Sequence, residues 1–367
     1  MVQRCPPPNR NRERIAVKKV GTLAFQYAFN FGAVLQALGL IRALRELGAD
    51  AEIIDFRSPA GYAPHLTTRH PLRWWNTRRV DQAFHAFRRD FFIQSEPIYT
   101  HEHLERYAAR YDAVIVGSDQ VWNLHKNFER AYFLDFQLPP TCRRISYAAC
   151  FGRDDQPAEA RARVAPALKR FNAISIRNRT SQTVLERDFG IQAPIMADPT
   201  LLANYDDVAA PRLINRPYSL IFAVDFRVQD KLRQMVAWHR RINPRRLCMS
   251  RLTWHVPGVH QLVNGVGPQQ WISLIRNAGF MMTDSFHGMV FAMKYRVPFA
   301  VVFAGENGAR MQDLLGTCGI GDRVTENPTQ EWLQRMLEVT PDWDRVHGSL
   351  APLIAKSREY LRTSVGL

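Results

Sequence analysis

Buried strand segments alternate with amphipathic helices along most of this 367-residue chain. Residues 15–25 have the apolar pattern of a strand, residues 30–47 that of a helix, and residues 51–56 that of a second strand. This succession is a βαβ unit, which requires two parallel strands. The alternation starts again with a strand over residues 218–225 and a helix over residues 228–241. The sequence therefore predicts an α/β fold with a parallel sheet in each half.

The remaining segments continue the alternation and suggest where the chain divides. Further strands are predicted over residues 111–117, 144–152, 194–197, 246–249 and 297–303, and further helices over residues 158–171, 269–278 and 350–362. We expect four parts: a flexible basic tail over residues 1–14, an N-terminal domain over 15–172, a C-terminal domain over 173–345, and a helix over 346–367 that packs back.

Composition indicates a folded protein of a reducing compartment. Hydrophobic residues make up 46% of the chain, and the five cysteines are scattered without a CxxC pair, so neither a disulfide framework nor a structural zinc site is indicated. The uncharged run over residues 23–41 is interrupted by Gln26, Asn30 and Gln36, which disfavour a membrane span. The polar, proline-containing start does not resemble a signal peptide. We therefore expect a cytoplasmic protein.

The formal net charge of +15 favours anionic partners, which include nucleic acid, membrane surfaces and phosphorylated substrates. Part of the charge lies in an amphipathic segment over residues 67–92. It contains Arg69, Arg73, Arg78, Arg79, Arg88 and Arg89 between Trp74, Trp75, Phe84 and Phe87. The segment fits a solvated helix that covers a sheet edge, or a surface for anionic lipid head groups. Base stacking by the tryptophans is a third interpretation, although no single-strand-binding motif accompanies them.

The sequence Thr-Asp-Ser-Phe-His-Gly at residues 283–288 is a predicted turn at the entry to a helix. The first N–H groups of a helix lack internal partners and lie at the positive end of its dipole. Ser285, Phe286, His287 and Gly288 are therefore candidates for binding a phosphate or a carboxylate. The pattern also fits a helix that is simply capped by the aspartate or the serine of this turn.

Two other positions carry side chains suited to chemistry. Asp119 and Asn123 follow the predicted strand over residues 111–117, and ligands of open α/β sheets bind at the carboxyl ends of strands. Asp119 is placed there to take a proton from a hydroxyl group with Asn123 orienting it, unless it only caps the loop. Arg177 offers the paired N–H groups that hold a carboxylate or a phosphate, although a surface arginine fits its sequence context equally well.

Six short motifs occur in an order that is typical of one family. They are Asn-Phe-Gly-Ala-Val-Leu-Gln at 30–36, Gly-Ser-Asp-Gln-Val-Trp-Asn at 117–123, Ser-Tyr-Ala-Ala at 146–149, Ser-Ile-Arg at 175–177, Asp-Pro-Thr-Leu-Leu at 198–202 and the turn at 283–288. With these motifs, the chain resembles the polysaccharide pyruvyl transferase family over about residues 15–303. It departs from the family pattern at Cys150, where serine is frequent, and at Asn178, where an acidic residue is common.

The resemblance implies two Rossmann-like domains that face a cleft, similar to the B-type glycosyltransferases. It implies transfer of the enolpyruvyl group of phosphoenolpyruvate, without a cofactor or a metal, onto two hydroxyls of a sugar as a ketal. The acceptor would belong to a cell-surface polysaccharide or exopolysaccharide, or to its lipid-linked oligosaccharide precursor, and would bind the N-terminal domain while the donor binds the C-terminal domain. Peripheral contact with anionic membrane at the inner face of the plasma membrane is expected, and nucleic acid is not.

The resemblance also implies which residues act. Asp119, Arg177 and His287 are the expected catalytic residues, with Asp119 acting on the acceptor, while Arg177 and His287 hold the donor in one anion site that closes across the cleft. The expected substrate-binding residues are Asn30, Gln36, Asn123, Arg177, Ser285, Phe286, His287 and Gly288.

Two other classes of function remain compatible with the sequence. A B-type glycosyltransferase that uses a nucleotide sugar would share the architecture and would place a diphosphate at a helix start. A non-enzymatic protein that binds anions or nucleic acid would account for the charge but not for the six motifs. Dependence on a nucleotide sugar would indicate the first, and salt-sensitive nucleic-acid binding without turnover the second.

Overall fold

The structure is a computed structural model that describes residues 17–58, 71–125, 129–243, 246–251 and 257–367. The predicted basic tail over residues 1–14 and Arg69 lie outside these ranges. The side chains of residues 71–77, 251 and 306–307 are also outside the described part, and they include Arg73, Trp74 and Trp75.

The first half of the chain forms a five-stranded parallel sheet with the order β2-β1-β3-β4-β5. Its strands are β1 (Lys19–Leu23), β2 (Asp50–Ile53), β3 (Ala113–Val116), β4 (Arg143–Ala149) and β5 (Ala173–Ile176). The helices of this half are α1 (Phe31–Glu46), α2 (Pro71–Phe91), α3 (His101–Ala108), α4 (Ala158–Leu168), α5 (Arg179–Phe189) and α6 (Pro199–Leu202). We call this sheet with α1 to α5, up to residue 197, the first unit; α6 lies in the connection to the second half.

The second half forms a six-stranded parallel sheet with the order β11-β10-β9-β6-β7-β8. Its strands are β6 (Tyr218–Ala223), β7 (Arg246–Arg251), β8 (Gln261–Val263), β9 (Phe280–Thr283), β10 (Phe299–Val302) and β11 (Val324–Thr325). The helices are α7 (Gln229–Ile242), α8 (Pro268–Arg276), α9 (Phe286–Lys294), α10 (Ala309–Thr317), α11 (Gln330–Glu338) and α12 (Trp343–Val365). We call this sheet and its helices the second unit.

The structure differs from the predicted elements at one predicted strand and at one strand that was not predicted. The predicted division at residue 173 also does not coincide with the boundary between the sheets, because β5 pairs with β4 inside the first sheet and residue 176 bridges to Ile195. Of the strand predicted over residues 194–197, the structure forms this single bridge. The sequence pattern did not predict β9, which runs between β6 and β10 and leads directly into the Ser-Phe-His-Gly turn.

The two units share a continuous apolar core. Phe31 of α1 and Phe84 of α2 belong to the same buried cluster as Trp271 of α8 and Met289 of α9. Phe31 stacks on Trp271 with ring centroids 5.1 Å apart. Helix α1 is buried on nearly all its faces, which explains why residues 23–41 carry no charge.

Helix α12 connects the two units at the end of the chain. Its first turns pack into the core cluster that surrounds α8 and α9, whereas Leu361 and Val365 pack on the first sheet. The Ser357 hydroxyl accepts a hydrogen bond from the Ala197 N–H, and the Tyr360 hydroxyl donates to the Ser146 carbonyl. In the ranges that are described, none of the helices has the length and apolar character needed to cross a membrane.

Candidate active site

A cleft of about 450 Å³ lies between the two units, and we call it the front cleft. Every segment that lines it follows or ends a parallel strand: the loops after β1, β3 and β4 on one side and after β6, β9 and β10 on the other. Because all these strands run parallel, their carboxyl ends open onto one edge of each sheet, where ligands bind in α/β proteins. The lining side chains include Phe25, Asn30, Asp119, Asn123, Arg153, Ser285, Phe286, His287 and Arg310.

Helix α9 begins at the front cleft. Ser285 is its N-cap and accepts a hydrogen bond from the Gly288 N–H, at 3.2 Å. The preceding Asp284 carboxylate accepts hydrogen bonds from the N–H groups of Val224 and Asp225, which ties the turn to the loop after β6. Burial raises the pKa of Asp284 to about 6, although these N–H groups oppose the rise. The N–H groups of the first helical turn thus face the cleft from a fixed position.

Helix α1 begins at the same cleft from the first unit. Asn30 is its N-cap and accepts a hydrogen bond from the Ala33 N–H. A Cβ added at Gly32 would come within 1.9 Å of His287 Nδ1, so only glycine lets this helix approach the imidazole so closely. Two helix starts, each with a positive dipole end, therefore converge on one space.

Asp119 is held at the end of β3 by a tightly constrained loop. Its backbone lies in the left-handed region, with φ 72°, and the preceding Gly117 leaves no room for a Cβ against the Tyr147 carbonyl. One Asp119 oxygen accepts a hydrogen bond from Arg177, at 3.0 Å. Burial alone would raise the pKa of Asp119, but the nearby Arg177, with smaller contributions from His287 and Arg310, outweighs it and lowers that pKa below its usual value. The carboxylate is therefore ionised at neutral pH.

A second carboxylate joins the two predicted donor residues. Asp198 accepts a hydrogen bond from Arg177 at 2.9 Å, and its Oδ2 lies 3.4 Å from His287 Nε2. Its other oxygen accepts from the Thr200 N–H and hydroxyl. Burial would raise the pKa of Asp198, but His287 and Arg177 hold it far below the usual range. Arg177 and His287 thus lie close together, with Asp198 between them.

Arg310, at the start of α10, is a candidate anion-binding residue that no sequence motif indicated. Its guanidinium lies 5.5 Å from the Phe286 ring centroid and has no ion-pair partner among the residues that the structure describes. Burial, followed by the nearby charge of Arg177, lowers its pKa. The signal for Arg310 was its position after β10, at the carboxyl edge of the second sheet, but no recognised motif contains it.

The structure distributes the other predicted site residues unevenly. Asn30, Asp119, Asn123, Ser285, Phe286 and His287 line the front cleft. Gly288 lies behind them, with its N–H on Ser285. Gln36 does not reach the cleft: it is fully buried inside α1, and its amide has no hydrogen-bond partner among the described residues. The structure therefore does not bring this predicted substrate-binding residue to the cleft, because position 36 lies more than a turn beyond the helix start.

Arg177 faces a second space, which we call the back cavity. This cavity has a volume of about 160 Å³, and its walls include Arg177, Arg179, Asp198, Phe286, Arg310 and Leu353. The Arg177 guanidinium is occupied by two carboxylates and its side chain is 2% exposed, so it is not an open clamp for the donor. The expectation that Arg177 and His287 meet only on closure does not fit either, since α1 and α9 are already packed together.

The two departures from the family pattern lie next to each other. Cys150 Sγ is 3.7 Å from Asn178 Oδ1, and Asn178 is the N-cap of α5. Asn178 therefore has a structural role of its own. In the described ranges, no group of three or more His, Cys, Asp or Glu side chains is arranged to hold a metal ion.

Comparison with solved structures agrees with two Rossmann-like units. UGT89C1 of Arabidopsis thaliana complexed with quercetin has a TM-score of 0.52 at 11% identity, with 96% of this chain and 100% of that chain covered. S. aureus MnaA with UDP has a TM-score of 0.52 at 11% identity, with 91% of each chain covered. UDP-GlcNAc 2-epimerase from Methanocaldococcus jannaschii has a TM-score of 0.50 at 15% identity, with 89% and 92% covered. These similarities confirm the predicted fold and show the fold alone.

Sequence families identify the chain more closely. No curated protein sequence matches it. The model of the polysaccharide pyruvyl transferase family matches residues 30–304, well over half of the chain. That match spans β3, β4, β9 and the loops that carry Asp119, His287 and most of the front cleft. The chain belongs to the polysaccharide pyruvyl transferase family.

Proposed function

We propose that this protein transfers the enolpyruvyl group of phosphoenolpyruvate onto two hydroxyls of a polysaccharide sugar, or of its lipid-linked precursor, as a pyruvate ketal. The observation that carries the proposal is the convergence of two helix starts, His287 and Arg310 on one cleft beside the ionised Asp119. Such a site suits a small substrate that carries several negative charges and reacts with a neutral hydroxyl.

The proposed reaction sets three demands on the site. C3 of the donor gains a proton, which makes C2 electrophilic; one sugar oxygen bonds to C2, and the C2–O bond to phosphate breaks. The second sugar oxygen then bonds to C2 and closes the ketal. Of the two hydroxyl protons, one balances the proton gained at C3 and the other leaves with phosphate. The protein must therefore deliver a proton to C3, accept the protons that the two hydroxyls lose, and stabilise the phosphate.

Arg310 and the helix starts suit the anionic groups of the donor. Arg310 has no carboxylate partner among the described residues, so its charge is available to a ligand, and a hydrogen bond to a charged group contributes about 1.5–3 kcal/mol. The imidazole of His287 adds a further donor at the start of α9. Imidazoles change charge near neutral pH, so the same ring is the candidate source of the proton for C3.

Asp119 suits the acceptor side of the cleft. Its lowered pKa would make it a weak base toward a free hydroxyl. However, a hydroxyl becomes strongly acidic as its oxygen bonds to the electrophilic C2, so an ionised carboxylate is able to take the proton as that bond forms. The same negative charge would stabilise the positive charge that develops at C2. Asn30, Asn123 and Arg153 supply further polar groups for sugar hydroxyls.

The test is phosphate release from phosphoenolpyruvate by the purified protein against a panel of free and lipid-linked sugars. The proposal predicts acceptor-dependent release without any nucleotide. Turnover that requires a nucleotide sugar and leaves phosphoenolpyruvate intact would indicate a B-type glycosyltransferase. Salt-sensitive binding to nucleic acid without any turnover would indicate a binding protein.

We also propose that α2 brings the enzyme to anionic membrane, where a lipid-linked acceptor would be found. Arg78 and Arg79 are exposed, whereas Phe84 and Phe87 are buried on the other side of the helix. Replacing both arginines with glutamine should weaken sedimentation with phosphatidylglycerol vesicles, by about 1 kcal/mol per charge. The matched control replaces the exposed Arg240 and Arg241 of α7. Equal loss in both variants, or no vesicle binding by the wild type at low salt, would disprove the contact.

A further inference from the structure

We propose that the back cavity is a binding site for inorganic phosphate, the second product of the reaction. The inference rests on the proposed function only for the source of the phosphate. Phe286 and Arg310 border both the front cleft and the back cavity. A phosphate that leaves C2 in the front cleft therefore has the back cavity beside it, across Phe286 and Arg310.

The charges around the back cavity favour an anion. Arg177, Arg179 and Arg310 line it, together with Asp198 and Asp313. Asp198 is already paired with Arg177, and His287 Nε2 lies 3.4 Å from the same carboxylate oxygen. Arg179 and Arg310 form no ion pair with any described residue, and Asp313, the other carboxylate of the wall, is exposed to solvent. An anion between the two arginines would pair with both without displacing an existing ion pair.

Two further observations point to a ligand in this cavity. The Nε atoms of Arg177 and Arg310 are buried without a hydrogen-bond partner in the described ranges, and the Arg177 side chain is 2% exposed. Buried nitrogen donors are seldom left unpaired. In addition, the 11-residue helix α5 begins here: Asn178 and Arg179 line the cavity, and the first N–H groups of α5 carry the positive end of its dipole.

The size of the cavity limits the ligand. Sites for drug-sized molecules and cofactors occupy about 300–1,000 Å³, whereas the back cavity has about 160 Å³. A nucleotide or a sugar is therefore too large, and a tetrahedral oxyanion fits. Apolar side chains such as Met196, Leu201 and Leu353 form the rest of the wall. They keep the local dielectric low, which strengthens the attraction between the arginines and an anion.

Binding of inorganic phosphate to the full-length protein, measured by calorimetry, tests the site directly. Arg179→Gln should weaken phosphate binding at least fivefold while the KM for phosphoenolpyruvate stays within twofold. Arg179 is exposed and begins α5, so the variant should fold, which its Tm will verify. The matched control is Arg187→Gln in the last turn of α5, where the arginine pairs with Asp188, and it should bind phosphate like the wild type.

Product inhibition gives an independent readout. Phosphate should inhibit turnover with a mixed pattern against phosphoenolpyruvate, because the two anions occupy different spaces but share Arg310 at the border. Strictly competitive inhibition, or unchanged phosphate binding by Arg179→Gln, would overturn the proposal. Arg179-dependent binding of pyruvate in preference to phosphate would overturn the choice of ligand. If phosphoenolpyruvate is not a substrate at all, the calorimetry still decides whether the anion site exists, so the two proposals fail separately.

Discussion

The two arginines nearest to Phe286 differ in whether they form ion pairs. Arg177 donates to Asp119 and Asp198 through its two terminal nitrogens, whereas Arg310 has its guanidinium over the same ring and no carboxylate partner in the described part of the chain. The sequence motif predicted Arg177 and His287, and it could not predict Arg310, since pairing depends on which carboxylates the fold brings close. The same holds for Gly32. Its sequence context indicated only a helix start, whereas the structure places it against the imidazole of His287, 255 positions later in the chain.

Arg310→Gln should raise the KM for phosphoenolpyruvate by about 10-fold to 100-fold, because it removes a charged hydrogen bond that contributes about 1.5–3 kcal/mol. Steady-state kinetics with the donor varied at saturating acceptor measures this effect. Gln312→Ala, on the exposed side of the same helix, is the control and should leave donor KM unchanged. A normal donor KM in Arg310→Gln would remove this residue from the donor site.

Gly32→Ala should lower kcat/KM by about 100-fold or more, because the added methyl group occupies the position of the His287 ring and displaces it. Gly348→Ala is the matched control, since that glycine lies within α12 with nothing within 4 Å of an added Cβ. It should stabilise the fold by about 0.5–1 kcal/mol and keep full activity. Full activity in Gly32→Ala would mean that the position of His287 is not important.

At the scale of elements, the sequence predicted helix starts better than short strands. The cap-and-turn chemistry of residues 283–288 identified the start of α9, because a capping side chain acts on its own backbone. Strand β9 was missed because its four residues, three of them apolar, follow α8 after only three residues, and so short a run carries no distinctive period. Only its pairing with β6 and β10 makes it a strand, and that pairing depends on distant residues.

The free energy of unfolding should depend on pH through Asp284, which connects the loops after β6 and β9. Its folded pKa is about 6 against a usual value of 3.8, so the folded state holds the proton more strongly than the unfolded state. The stability contributed by this group is therefore greatest below about pH 4 and is lost by about pH 6, a change of about 3 kcal/mol at 1.36 kcal/mol per pKa unit. Asp284→Asn has no carboxyl group at this position, so its stability should lack this pH dependence.

Urea unfolding between pH 4 and pH 7.5 measures the effect. The stability of Asp284→Asn relative to the wild type should rise from pH 4 to about pH 6 and then stay level. Asp225→Asn, on the neighbouring loop, tests whether the nearby charge contributes. A difference between Asp284→Asn and wild type that does not vary with pH would show that Asp284 keeps its ordinary pKa.

On the scale of the whole molecule, βαβ alternation predicted two parallel sheets, but it did not predict how the units join. The uncharged run over residues 23–41 held the relevant signal, because a helix that is apolar on all faces has to be buried. It could not reveal that the partner of α1 would be α8 and α9 of the other unit. The shared core favours a fixed cleft over a freely hinged one.

Phe31→Ala should destabilise both units together by about 3–5 kcal/mol, since Phe31 is buried against Trp271 and Phe84 across the junction. Far-ultraviolet circular dichroism and tryptophan fluorescence should report one coincident transition in urea for both proteins. The exposed Val339→Ala is the control and should stay within about 0.5 kcal/mol of the wild type. Two separate transitions, with only one shifted, would contradict a shared core.

The measurement that tests the central claim most directly is the structure of the product formed in D₂O from phosphoenolpyruvate labelled with ¹⁸O in the bridging oxygen. The proposed chemistry adds one proton from solvent to C3 and breaks the C2–O bond. It therefore predicts a ketal whose methyl group carries one deuterium, together with inorganic phosphate that retains the ¹⁸O. A product without a methyl ketal, or phosphate without the label, would contradict the account.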